Sequence, residues 1–128
     1  MDTRRARIIV SSLVLTFIVV RALIHLSPNS DLDIAGYNVH HLFTGLLLVV
    51  GGGIPLALFA ARSRLLDLAA VVLGAGLALS LDEWVYLIAT DGSNASYLLP
   101  VSLRGGIVMV ALAVAYIGVL YMLSGKRS

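Results

Sequence analysis

The chain has 128 residues, 59% of them hydrophobic and 12% charged, with a formal net charge of +2 and a mean hydropathy of +0.99. Soluble domains average ~45–50% apolar and ~25% charged residues, so this composition excludes an ordinary soluble globular domain. The absence of cysteine excludes disulfide exchange, thiolate catalysis, iron–sulfur clusters and thiolate zinc sites, leaving His, Asp, Glu and backbone oxygen as the only metal ligands.

Four apolar runs follow one another in chain order, each long enough for a helix of roughly 30 Å that crosses the hydrocarbon. The first covers about residues 6–26, with Arg4, Arg5 and Arg7 at its start. It reads as a span and not a cleaved leader, because no small-x-small cleavage site follows His25 and removal would leave three spans. Arg21 and His25, four apart, share one face near its far end. The second run, about 39–61, opens on His40 and His41 with Asn38 as the expected N-cap. Near its middle, Gly51, Gly52, Gly53 and Pro55 predict a kink, because proline removes the bond to the Gly51 carbonyl and the glycines weaken the helix around it.

Arg62 and Arg64 mark the turn into the third run, about 65–89. Ala70, Gly74 and Ala78 repeat there at i, i+4, i+8, a seam of small residues along which another helix approaches closely. Asp82 and Glu83 stand seven positions before its end, about 10 Å of helix rise inside the boundary. The fourth run, about 100–123, carries Arg104 one turn in and is followed by Lys126 and Arg127.

Seven of the nine basic residues, namely Arg4, Arg5, Arg7, Arg62, Arg64, Lys126 and Arg127, fall on one side, which the positive-inside rule makes cytoplasmic. The expected fold is an all-α membrane protein, an antiparallel bundle of four transmembrane helices in the cell membrane with both termini cytoplasmic. The outward loops, 27–38 and 90–99, carry Asp31, Asp33 and Asp91. Tyr37, Trp84, Tyr86 and Tyr97 near the outer boundary, and Phe59 and Tyr121 near the inner one, read as anchoring belts. The lipid bilayer is the expected partner, a second copy or another membrane protein is a further candidate, and nucleic acid is not expected.

Charged groups within a span cost about 2.5–3.5 kcal/mol each even on lenient insertion scales, so Asp82 and Glu83 require partners. Antiparallel neighbours bring His40 and His41 to the same leaflet, together with Arg21, His25 and Arg104. Asp82 is expected to be the more buried acid, since adjacent residues on a helix diverge by about 100°. Three chemistries fit. His40, His41, Asp82 and Glu83 can hold a divalent metal such as zinc, iron or manganese. The same groups can bind or relay a proton or other cation, as in a proton- or cation-coupled transporter. Arg21 and Arg104 can instead neutralise the two acids as structural ion pairs, leaving a small non-catalytic membrane subunit or scaffold that acts through its small-residue seam. Haem between His25 and His40 or His41 is disfavoured, as no attachment motif is present. No nucleophilic triad or phosphate-binding loop is marked, so the only enzymatic option is metal-assisted hydrolysis at the membrane surface.

Val39-His40-His41-Leu42-Phe43-Thr44-Gly45, together with Gly74-Ala75-Gly76 through Leu81-Asp82-Glu83-Trp84, resembles small uncharacterised prokaryotic four-helix membrane proteins with a His-His…Gly and Leu-Asp-Glu pattern. The resemblance covers the middle half of the chain and implies that the two pairs work together, without implying an activity. Those proteins tend to carry an acid after a serine entering the fourth span. This chain has Ser102-Leu103-Arg104 instead, which weighs against a four-carboxylate metal site.

Overall fold

The structure is a computed structural model that describes residues 1–27, 33–34 and 37–125. Four long helices dominate it: α1 (Thr3–Leu26), α2 (His41–Leu58), α3 (Arg64–Ala89) and, after the short α4 (Asn94–Tyr97), α5 (Pro100–Gly125). Two-residue strands β1 (Asp33–Ile34) and β2 (Tyr37–Asn38) pair antiparallel before α2, Asp33 opposite Asn38 and Ile34 opposite Tyr37. The long helices have 24, 18, 26 and 26 residues, and each is long and apolar enough to cross a membrane. Lys126 and Arg127, Asp31 and the side chains of Asp33 and Tyr37 lie outside the described residues.

Local chemistry sets the helix ends. Asp2 accepts the backbone N–H groups of Arg4 and Arg5, both at 3.1 Å, and so caps α1. Ser63 accepts from Leu66 and caps α3, with Asp67 in the first turn where the helix dipole favours a negative charge. Pro100 opens α5, at the helical position where a missing N–H costs nothing. The second helix is shorter than its apolar run. Asn38 lies in β2 and is not the N-cap; His40 occupies that position with extended backbone and no capping side chain of its own. At the other end Phe59 turns extended and donates to the Pro55 carbonyl. The helix continues through Gly51–Gly53 and Pro55 to Leu58.

The hub of the fold is α3. Its most apolar window is 44% buried, against 11% for each of the other three. Glycines allow α2 to approach it closely. A Cβ on Gly45 would lie 2.7 Å from the Gly76 carbonyl, and one on Gly52 would lie 2.5 Å from the Ala69 carbonyl. The seam of Ala70, Gly74 and Ala78 is buried, and α1 of the same chain fills it: a Cβ on Gly74 would stand 2.6 Å from the Ile9 carbonyl. Ser12 reinforces this contact by donating to the Val71 carbonyl at 2.7 Å. Leu13, Ala78 and Val110 form the core between α1, α3 and α5. The belt expectation fails for two residues. Tyr86 and Tyr97 are 1% and 4% exposed, whereas Trp84, Phe59 and Tyr121 are well exposed.

Candidate functional site

Where the end of α1, the start of α2, the end of α3, α4 and the start of α5 meet, the chain buries three charged side chains, Arg21, Asp82 and Glu83. Their burial follows from the central position of α3. Asp82 points toward α1, α4 and α5, while Glu83, turned about 100° around the same helix, points toward α2. Both are buried, at 0% and 3% exposure, because this helix has neighbours on both sides.

Arg21 uses all of its donors. Nε donates to Asp82 Oδ1 at 2.5 Å, Nη1 to the Tyr97 carbonyl and Ser102 Oγ, and Nη2 to the carbonyls of Asp82 and Ser102. A guanidinium has five N–H groups, so none is left over for a ligand. Its carbon also sits 4.1 Å from the centre of the Tyr97 ring, in cation–π contact. Gly106 leaves room for the pair: a Cβ there would come 3.0 Å from both Arg21 Nη2 and Asp82 Oδ1.

The second oxygen of Asp82 accepts from the Tyr97 hydroxyl and faces His41 Nε2 at 2.8 Å. Burial, then the nearby Asp82 carboxylate, pushes the Tyr97 phenol well above its ordinary value, so it remains a donor. Glu83 Oε2 accepts the backbone N–H of Leu42 at 2.8 Å. It thereby supplies, from another helix, the cap that the start of α2 lacks. Glu83 Oε1 lies 3.3 Å from His41 Nδ1 and 3.5 Å from His40 Nδ1. His40, His41, Tyr86 and Tyr97 close the site as a ring cluster, with neighbouring centroids 5.2–5.9 Å apart. Among the described residues, no buried side-chain nitrogen or oxygen lacks a hydrogen-bond partner.

The structure thus brings together Arg21, His40, His41, Asp82 and Glu83. It does not bring in Arg104, which is exposed on α5, with no ion pair to either acid among the described residues. His25 is also turned out, its Nδ1 on the Arg21 carbonyl at 2.7 Å. Of the four expected metal ligands, His41 and Asp82 are hydrogen-bonded, and Glu83 stands within ion-pair distance of both histidines. Among the described residues, no group of three or more His, Asp or Glu is arranged to hold a metal ion. Sequence reasoning missed Tyr97, Ser102 and the Leu42 N–H. A loop tyrosine and a serine carry no signal of burial, and a backbone donor has no side chain to read.

Comparisons with family models, with curated proteins and with solved structures returned no match.

Proposed function

We propose that this chain is a multi-pass membrane protein, an antiparallel bundle of four transmembrane helices with both termini on the cytoplasmic side, whose His41–Asp82–Glu83 cluster binds one cation, and that the cation is a proton. The single observation that carries this reading is the position of the His41 ring. Nε2 faces Asp82 Oδ2 at 2.8 Å and Nδ1 faces Glu83 Oε1 at 3.3 Å. Neutral imidazole has one N–H and one lone pair, and only the doubly protonated ring presents a donor to each carboxylate. Arg21⁺ and His41⁺ then balance Asp82⁻ and Glu83⁻ in a site too buried to hold a net charge cheaply.

Loss of that proton leaves a lone pair against a carboxylate and a net negative charge in the cluster. The strain falls on the start of α2, which Glu83 and His41 tie to α3. Protonation is thereby coupled to the α2–α3 contact, as expected of a proton sensor or the outer station of a proton-coupled protein. A sensor fits better than a relay across the bilayer. No acidic, basic or histidine residue occurs at 8–20, 42–58, 68–81 or 105–125, so nothing titratable in the ordinary range carries a proton onward. The scaffold alternative is less favoured, since Gly74 in the middle of its seam already packs against α1.

The test has a metal arm and a proton arm. Purified protein is equilibrated with Zn²⁺, Fe²⁺ or Mn²⁺ alone, desalted and analysed for metal. It is then titrated with base while hydrogen exchange is followed in the first turns of α2. The expected results are sub-stoichiometric metal and an opening of α2 as the pH rises, beyond the intrinsic acceleration of exchange, that His41→Gln abolishes. Stoichiometric metal in the wild type that His41→Gln loses while staying folded would overturn the proton assignment in favour of a metal site.

A further inference from the structure

At the opposite end of the molecule, where Arg4, Arg5, Arg7, Arg62 and Arg64 gather, α1 and α5 separate and leave a groove of about 580 Å³, within the range of ligand pockets. Its walls are two matching helical stripes: Thr3, Ala6, Arg7 and Val10 on α1, and Val114, Ile117, Gly118 and Tyr121 on α5. Each stripe follows i, i+3, i+4, i+7, so each presents one continuous face over about 10 Å of helix. The two helices are held together at the far end, where Arg21 bonds Ser102, and they do not close here. A Cβ on Gly118 would meet nothing within 4 Å.

The floor is apolar and the polar groups are three: Arg7, the Thr3 hydroxyl and the Tyr121 phenol. Neighbouring arginines are already engaged, Arg4 with Asp67 at 2.7 Å and Arg5 with Asp2 and the Ala61 carbonyl. Arg7, exposed and a turn deeper, has no hydrogen-bond or ion-pair partner among the described residues. A groove with an aliphatic floor, an uncommitted guanidinium and two hydroxyls matches an acyl chain that ends in a phosphate. Basic pockets between transmembrane helices bind anionic head groups in this way.

We propose that the α1–α5 groove binds one anionic phospholipid, its acyl chain along Ala6, Val10, Val114 and Gly118 and its phosphate at Arg7, Thr3 and Tyr121. The inference rests on the membrane reading above but not on the proton at His41. Purified protein is first reconstituted in vesicles and washed with carbonate; release by this wash would refute the membrane reading itself. Protein in neutral detergent is then offered phosphatidylglycerol or phosphatidylcholine of identical chains, and retained lipid is counted by native mass spectrometry. The proposal expects one retained phosphatidylglycerol, preferred roughly fivefold over phosphatidylcholine, as one basic residue at a membrane surface contributes. Arg7→Gln removes the preference, Gly118→Leu fills the groove and lowers retention of both lipids, and Arg62→Gln leaves the preference unchanged. Equal retention of the two lipids by the wild type, an unchanged preference in Arg7→Gln, unchanged retention in Gly118→Leu, or an equal loss of preference in Arg62→Gln would each overturn it.

Discussion

Replacing Arg21 with Met removes the guanidinium while keeping most of the side chain's length. Five hydrogen bonds disappear at once, and Asp82, which is 0% exposed, keeps only Tyr97 and His41 as partners. Breaking a buried pair by deleting one member costs about 3–5 kcal/mol, because the remaining charge stays in a medium that solvates it poorly. Arg21→Met is therefore expected to lose about that much stability. Asp82→Asn, which strands the cation instead, is expected to lose a similar amount. As both substitutions break the same contact, the double variant should cost less than the sum of the singles by about 1–3 kcal/mol. Reversible unfolding in mixed micelles, titrated with a denaturing detergent and followed by the fluorescence of Trp84, measures all four corners of this cycle. A loss below about 1 kcal/mol for Arg21→Met, or strict additivity in the double variant, would refute the argument that this pair holds α1, α3 and α5 together.

Glu83→Ala should lose about 0.5–2 kcal/mol as the cap on α2 disappears, whereas Glu83→Gln keeps an acceptor for Leu42 and loses less; hydrogen exchange at Leu42 and Phe43 distinguishes the two. Gly74→Leu drives a side chain into the Ile9 backbone and Ser12, so it should unfold or destabilise the protein by at least about 1–3 kcal/mol, with no change in oligomeric size by light scattering under conditions where it stays folded. Asp91 is held near pH 2, below its ordinary 3.8, first by the Ser96 hydroxyl and then by the Ser93 N–H. A depressed carboxylate stabilises its turn above the ordinary value and loses that contribution as pH falls through the depressed one. Hydrogen exchange across 91–97 should therefore rise between about pH 4 and pH 2 beyond the intrinsic chemistry, and Asp91→Asn should remove the excess.

Much of the fold is legible because a bilayer-length apolar run has few alternatives. All four runs became helices; Asp2 starts α1 early and His40 delays α2, while α2 ends three residues short where Phe59 turns extended and α5 runs two residues further. The polar site was legible as a set of residue types and not as a geometry. Periodicity separates Asp82 from Glu83 by about 100° and makes Asp82 the more buried, as it is; only the central position of α3 explains why Glu83 is nearly as buried. Arg104 carries the same charge as Arg21 at a comparable depth, yet faces outward, since helix phase relative to partners is set by packing that no single sequence displays. Tyr86 and Tyr97 look like belt residues by position, and their burial depends on α4 folding back over the end of the bundle, which gives no periodic signal in four residues.

The central claim is that His41 carries a proton between two carboxylates, and the ring nitrogens of His41 report on it directly. In protein with ¹⁵N-labelled histidine, reconstituted in bilayers at neutral pH and assigned by comparison with His41→Gln, both His41 nitrogens should show the shifts and attached protons of imidazolium. One bare and one protonated nitrogen, with Asp82 and Glu83 both ionised, would contradict the account.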